Sequence, residues 1–508
     1  MSPTSPLPPS RRRIVVGAAS NWLVFGATLA VTFFLTPYLV RRLGQGPYGL
    51  WNVVESLLAY FTLFDLGIAA SVERFVARFR TTGERDDLNR LVSTCFALFA
   101  GLAFAGFAVL GTATPLVLSA VADVGMPRGE LLAFGFLMLA TLAATLPLSV
   151  FAATLDGAQA FAAKNAVRLV TLAVRTVGTV VVLEGPASLF NLGLVHAACT
   201  ALEYAAFAAL SFRTVPGLRL SWRLVDRATV KRVRGHSLYA FLAMLAGRVT
   251  VQSGPLIVGP IAGLAAVTAY ALALRLVEFA KALTRSATNT LSPAISSLDA
   301  AGRVDAIRTV LLRGTKWVLY LILPVQLGLI VFGRPFLTIW MNDAELAAAV
   351  YPVLVVLSMT LSVAVAQSVA ARILYGTGRL RLFARMALGE AALNAALGAA
   401  LCAAFGAPGM AVGAALPNLL MCGWVVGYTA RVLEVPLAAY LRDAWARPLL
   451  AAAVPLLVWS LGGWVVGGWP AFAGAILAGL VPYGVVVLGL EGRRFRFGVA
   501  ARIPVPRR

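Results

Sequence analysis

An all-helical protein that crosses a membrane many times is the fold class this sequence predicts. Three observations predict it: a hydropathy too high for a water-soluble chain, apolar runs recurring at bilayer length, and basic residues confined to alternate gaps between those runs. Hydrophobic residues make up 60% of the 508, charged residues only 13%, and the mean hydropathy is +0.85. Soluble domains carry roughly 25% charged residues. A span needs about 20 apolar residues to cross about 30 Å of hydrocarbon, and a helix satisfies its backbone hydrogen bonds without water. The net charge of +22 resembles a nucleic-acid footprint, but the basic residues are scattered over short loops, as topology determinants are. No nucleic-acid partner is expected.

Fourteen apolar runs lie at about 14–37, 48–71, 92–121, 131–154, 167–184, 189–212, 237–260, 263–285, 316–340, 347–370, 386–404, 409–430, 448–466 and 469–490. The first follows Arg11-Arg12-Arg13 and is too long for a cleaved signal core, so it reads as a retained signal anchor. Gly185-Pro186, Gly259-Pro260 and Gly406-Ala-Pro-Gly409 read as turns between helices. With a cytoplasmic N-terminus, 36 of the 43 Lys and Arg fall on the inner side, and Arg41, Arg42, Arg128 and Arg334 outside. One missed helix would invert every later loop, so this bias predicts that both termini are cytoplasmic.

The chain repeats itself at a shift of roughly 219 residues. Pro37-Tyr-Leu-Val40 before Gly44 answers to Pro255-Leu-Ile-Val258 before Gly263; Thr114-Pro-Leu116 answers to Arg334-Pro-Phe336; Leu155-Asp-Gly157 answers to Leu374-Tyr-Gly376. Six spans separate the copies, so two six-helix lobes are expected, related by a pseudo-twofold along the membrane normal. The domain reading is a cytoplasmic tail 1–13, a first lobe 14–212, a basic linker 213–236, a second lobe 237–430, a linker with two extra helices 431–490, and a basic tail 491–508.

Cys95, Cys199, Cys402 and Cys422 sit in apolar runs without the paired close spacings of metal sites or disulfides, and neither His196 nor His236 belongs to a ligand-spaced set of Cys, His and Glu, so neither metal nor disulfide is expected. There is no Gly-x-x-x-x-Gly-Lys-Ser/Thr loop for a nucleotide, no cofactor motif, and no outer loop large enough to carry catalytic groups. The chain is therefore not read as an enzyme. Chemistry is left to the charges at membrane depth, where one costs about 2.5–3.5 kcal/mol on insertion scales. Arg175, Arg248 and Arg275 are the substrate-binding candidates, because a permanently charged planar fork suits phosphate oxygens. Glu55, Glu203, Glu278 and Glu390 are the gating or ion-coupling candidates. Arg275 and Glu278 are also one helical turn apart, which permits plain mutual neutralisation. Under the repeat Glu55 and Arg275 fall at equivalent depth, which suggests a bridge made in one transport state only. Asp65 and Arg74, near the cytoplasmic end of the second run, read as structural. Gly423-Trp-Val-Val-Gly427 and Gly463-Trp-Val-Val-Gly467 have the spacing of helix-packing faces.

Phe34-Leu-Thr-Pro-Tyr-Leu-Val-Arg-Arg-Leu-Gly-Gln-Gly-Pro-Tyr-Gly-Leu-Trp51, Leu63-Phe-Asp-Leu-Gly-Ile68 and Leu88-Asn-Arg-Leu-Val-Ser-Thr94 resemble the start of polysaccharide biosynthesis flippases of the O-antigen (Wzx) type. Tyr270-Ala-Leu-Ala-Leu-Arg-Leu276, Leu291-Ser-Pro293 and Pro335-Phe-Leu-Thr-Ile-Trp340 resemble the same family in the second half. The family belongs to the multidrug/oligosaccharidyl-lipid/polysaccharide (MOP) exporter superfamily, with the MATE transporters and lipid II flippases. The resemblance implies two bundles forming a V, a cavity lined by the first, second, seventh and eighth spans, and alternating-access transfer of a polyprenyl-diphosphate-linked oligosaccharide across the bacterial inner membrane for O-antigen or lipopolysaccharide assembly. Membrane lipids, an H+ or Na+ gradient, a polysaccharide polymerase and glycosyltransferases would be its partners. Where many relatives carry an Asp in the seventh span this chain has Ser253-Gly254-Pro255, which removes that residue from any coupling scheme. The alternatives are a MATE-like drug or metabolite antiporter and, ranked below it, a membrane glycosyltransferase or polymerase.

Overall fold

A computed structural model describes residues 11–65, 68–120, 127–185, 188–233, 238–289, 291–464 and 466–498. The first ten residues of the tail, Pro186, His236 and the tail 499–508 lie outside them, as does the side chain of Asp65. Every regular element among the described residues is helical. In order they are α1 (Arg11–Leu43), α2 (Gln45–Ala59), a 3-10 segment Tyr60–Asp65, α3 (Ile68–Thr82), α4 (Arg85–Ala120), α5 (Arg128–Gly157), α6 (Phe161–Glu184) and α7 (Leu189–Thr214). After a short turn at Trp222–Leu224 come α8 (Arg227–Val233), α9 (Leu238–Ala262), α10 (Leu264–Asn289), α11 (Leu291–Ala300) and α12 (Val304–Thr309). A π-helical segment Val310–Gly314 leads into α13 (Thr315–Met341), then α14 (Ala344–Met359), α15 (Leu361–Gly376) and α16 (Leu380–Val432). The chain closes with α17 (Leu437–Tyr440), a second π-helical segment Leu441–Ala446, α18 (Arg447–Leu461) and α19 (Trp469–Gly498).

Each of the fourteen expected spans has a helical counterpart. Among the described residues eleven continuous helical stretches are long and apolar enough to cross a membrane. The other three spans have physical reasons for escaping that count. The eleventh and twelfth spans run together as α16, broken only at Gly406, whose φ of 64° and ψ of −145° no L-residue adopts readily. The second is cut into short pieces by the 3-10 segment after α2, and α10 carries Arg275, Glu278 and Lys281 within one crossing length. The turn expected at Gly259-Pro260 falls instead at Gly263, where φ is 84°, and both prolines of α9 lie inside the helix.

The 219-residue repeat reappears in the local geometry of each half. Gly44 and Gly263 turn the chain at φ of 85° and 84°. At the end of α5 the amides of Ala158, Gln159 and Ala160 donate to the carbonyls of Thr154, Asp156 and Leu155; at the end of α15 those of Thr377, Gly378 and Arg379 donate to Ile373, Tyr375 and Leu374. A Cβ on Gly157 would meet the Glu73 carbonyl and Val76, and one on Gly376 would meet Ile295 and the Ser292 carbonyl. All of these pairs differ by 219. Chemistry diverges on the shared frame: Lys164 pairs with Asp156 in the first half, whereas Phe383 packs edge-on against Tyr375, centroids 5.5 Å apart, at the same two places in the second.

The chain divides into two compact units, Met1–Thr268 and Ala269–Arg508. In the first, α4, α5 and α7 form the packed centre, α1 lies along α6, and α9 lies along α2. Gly49 of α2 permits a close approach to the first residue of α10, since a Cβ would stand 2.1 Å from the Leu264 carbonyl oxygen. In the second, α13 is the hub, packing on α14, α15 and α18. The C-terminal hairpin is firmly docked: Trp459 of α18 packs on Phe332 of α13 and donates to the Ala475 carbonyl at 3.0 Å. Of the two glycine-spaced motifs, Gly463–Gly467 falls in the loop between α18 and α19, and Gly423 and Gly427 face open space. Close glycine packing occurs instead inside α16, where a Cβ on Gly413 would lie 2.5 Å from the Gly398 backbone. Spacing creates a packing face only where a partner helix covers it.

Candidate functional site

The first unit carries an open cavity of about 330 Å³. It is lined by Glu55, Leu58 and Ala59 of α2, by Met138, Thr141, Leu142 and Thr145 of α5, by His196 and Thr200 of α7, and by Gln252 of α9. Helical spacing explains the convergence: residues three or four apart share a face, which groups Met138 with Thr141 and Thr145, and His196 with Thr200. The end of α2 contributes because the 3-10 segment begins at Tyr60, just beyond Ala59. The polar lining is hydroxyl, amide and imidazole, with Glu55 the one carboxylate among the lining residues. His196 is fixed edge-on against Trp51, ring centroids 5.8 Å apart.

Arg175 of α6 stands behind this wall. Its Nη2 donates to Thr200 Oγ1 at 3.3 Å and lies 3.9 Å from Glu203 Oε2, while its Nε is buried and finds no acceptor among the described residues. Glu203 also accepts from Thr171 at 3.0 Å and lies 3.9 Å from Arg168. Two cations, an acid and two hydroxyls thus form one network across α6 and α7, joined to the cavity through Thr200. Arg248 is exposed on α9, one turn before Gln252 and on the same helical face.

The candidates of the second unit stand in a different arrangement. Glu278 accepts from Lys281 at 3.1 Å and from Arg285 at 2.8 Å, one partner on each oxygen. Glu390, at the place of Thr171 under the repeat, accepts from Asn418 at 2.8 Å. Arg275 is half-buried on α10. The structure therefore gathers Glu55, Glu203, Arg175 and, by face, Arg248 around one cavity, and keeps Glu278 and Glu390 in separate polar contacts. His196, read from the sequence only as lacking a metal set, and Gln252 are not among the sequence's site candidates. The signal for both was periodicity: His196, Thr200 and Glu203 recur at four and three residues, and Gln252 follows Arg248 by four.

Among the described residues no group of His, Cys, Asp or Glu has the geometry of a metal site. The four cysteines are buried and unbridged.

A many-spanning helical membrane protein built from two six-helix repeats and a C-terminal hairpin is the class that this fold defines. Residues 254–400 match the family model MatE. The fold is shared with an inward-facing multidrug resistance MATE family transporter of the MOP superfamily, at a TM-score of 0.69 and 10% identity over 80% of this chain and 94% of that one. It is shared equally with the lipid II flippase MurJ in its inward closed conformation, at a TM-score of 0.71 and 13% identity over 93% of this chain and all of that one. An uncharacterised membrane protein, EpsK of Bacillus subtilis (strain 168), is 22% identical over 85 residues, a match spanning 17% of each chain.

Proposed function

We propose that the protein is a MOP-superfamily flippase that carries a polyprenyl-diphosphate-linked oligosaccharide from the cytoplasmic to the outer leaflet of a bacterial inner membrane, both its termini being cytoplasmic. The cavity carries the reading. A glycan cannot cross hydrocarbon bare, because each unsatisfied polar group costs several kcal/mol. The Thr141, Thr145, Thr200, His196 and Gln252 side chains offer both donors and acceptors to sugar hydroxyls. Arg175 and Arg248 flank that lining with the forked cations a diphosphate needs. The lobes exchange access to the two sides, so the headgroup crosses in a polar cavity while its lipid tail stays in the bilayer. The MurJ likeness covers more of this chain than the MATE likeness does, 93% against 80%, as a shared C-terminal hairpin would produce. The energy source is an H+ or Na+ gradient, with Glu55, Glu203 and Glu390 as the carboxylates able to exchange the ion; glycosyltransferases supply the substrate and a polymerase consumes it.

A second reading, MATE-like extrusion of drugs or metabolites, is favoured by the family match over residues 254–400. Deletion of the gene separates the two. The flippase reading expects repeat units stranded on polyprenyl diphosphate at the cytoplasmic face and loss of the surface glycan, both restored by the wild-type gene. Intact surface glycan in a deletion strain without a paralogue, together with new drug sensitivity, gives the function to the second reading.

A further inference from the structure

The second unit holds another cavity, of about 510 Å³, that shares no lining residue with the first. It is lined by Leu312, Arg313 and Lys316 at the start of α13 and by Arg442, Asp443, Ala446 and Arg447 at the start of α18. Both of its walls are π-helical: Val310–Gly314 supplies Arg313, and Leu441–Ala446 supplies Arg442 and Asp443. The two segments pack on each other. Such turns are well under 1% of residues and frequently mark functional sites, because the extra residue per turn re-aims the side chains that follow. Two of them on opposite walls of one cavity turn arginines toward the same space.

The charges there do not cancel. Glu491, 2% exposed on its side chain, accepts from Lys316 at 2.8 Å, from Arg447 at 3.1 Å and from Tyr320 at 3.3 Å. Asp443 accepts from Arg442 at 3.0 Å. Four cations thus face two acids, and Arg313 is exposed without an acidic partner among the described residues. Around the pocket the surface is greasy: Leu441, Leu449 and Leu450 are 50%, 49% and 66% exposed. Trp317, on α13 next to Lys316, is 40% exposed, as aromatic side chains at a membrane–water boundary are.

We propose that this pocket binds the phosphodiester head group of an anionic phospholipid, with Arg313 and Arg442 as the phosphate contacts and the acyl chains lying over Leu441, Leu449 and Leu450. A phosphodiester carries one negative charge, which an excess of two positive charges accommodates, and the guanidinium fork matches its paired oxygens. Basic pockets between spans on the cytoplasmic side are where such head groups are held. The bound lipid joins the start of α13 to the start of α18, pinning the C-terminal hairpin to the repeat that precedes it. The inference is independent of the transported substrate.

Native mass spectrometry of the full-length protein in detergent, titrated with dioleoyl-phosphatidylglycerol or dioleoyl-phosphatidylcholine, tests it. The wild type is expected to retain the anionic lipid about tenfold better than the zwitterionic one, since each basic contact near the head group contributes measurably. The variant Arg313→Gln/Arg442→Gln loses that preference, and Arg379→Gln/Arg385→Gln, which removes two charges at the start of α16, keeps it. Should the double variant not fold, Arg313→Gln alone serves, because its exposed side chain holds no acidic partner among the described residues, and about half the preference is lost. Equal retention of the two lipids by the wild type, an unchanged preference in both variants, or displacement of the lipid by millimolar inorganic phosphate would each overturn the assignment, the last by identifying a free anion as the occupant.

Discussion

Arg175 is the side chain in which cost and use are easiest to separate. Its Nε is buried without an acceptor while Nη2 reaches Thr200 and Glu203, so part of its hydrogen-bonding capacity is unspent. A side chain placed only to neutralise Glu203 would have no need of a planar fork with a buried edge that Glu203 does not satisfy. Arg175→Ala is expected to lower glycan export about ten- to hundredfold, the worth of one or two charge-assisted hydrogen bonds, with the protein still present in the membrane by immunoblot. Arg175→Lys, which keeps the charge and loses the fork, recovers part of it. Export at the wild-type level in Arg175→Ala combined with Arg248→Ala removes both from the site. Asn89 and Ser93, within one of the motifs carrying the family resemblance, have a different job. The Asn89 amide donates to the Gly217 carbonyl at 3.1 Å and accepts from the Arg219 amide at 2.8 Å, and Ser93 accepts from the Ser221 amide at 3.1 Å, so α4 clamps the linker between the halves. Asp226 then caps α8: the Ala228 amide, the Thr229 hydroxyl and the Thr229 amide hold its carboxyl below the usual carboxylate range. A depressed folded-state pKa contributes stability fully above about pH 4, where the unfolded carboxyl is ionised, and loses it as pH falls through the folded value. Hydrogen exchange at residues 227–233 is therefore expected to be flat from pH 5 to 8 after correction for intrinsic rates, and faster in Asp226→Ala throughout that range. A wild-type transition near neutral pH contradicts the cap.

Among elements, the helices were legible and their interruptions were not. Apolar run length locates α4, α5, α6, α7 and α13 because hydropathy is a property of composition, which the sequence displays directly. The break after α2 and the π-helical turns before α13 and α18 depend on which backbone hydrogen bonds survive packing, and no residue in Tyr60–Asp65 or Val310–Gly314 announces the change. Glycine spacing misled for a related reason. Gly423 and Gly427 have the right interval and nothing against them, whereas Gly398 and Gly413 touch across the Gly406 bend, a contact visible only once the hairpin is closed. Gly413→Val is accordingly expected to destabilise the protein by about 1–3 kcal/mol, the usual cost of overpacking, and Gly423→Val by less than about 0.5 kcal/mol, as for a surface position. Melting temperatures in one detergent compare them; an equal loss in the two variants contradicts the assignment of the contact.

For the molecule as a whole the repeat explains the likeness of the halves, and side-chain chemistry is where they differ. Turn glycines and close helix approaches recur at 219 residues because they are backbone requirements, and backbone requirements persist while side chains change. The charged candidates do not recur: Thr171 and Glu390 share a place, and the Asp156–Lys164 ion pair gives way to Tyr375 and Phe383. The sequence therefore displayed the repeat and the list of charges in the apolar runs, but not which charges meet, since that depends on helix rotation that hydropathy cannot read. The polar cavity of the first unit is where the account places the cargo. Reconstitution tests this directly: purified protein in liposomes, a polyprenyl-diphosphate glycan in the inner leaflet, and a lectin outside that reports each headgroup as it emerges. Emergence faster than in protein-free liposomes, about ten- to hundredfold slower with Arg175→Ala and partly restored with Arg175→Lys, is the predicted result. Emergence at the protein-free rate, under ion gradients of either sign and with folded protein in both orientations, contradicts it.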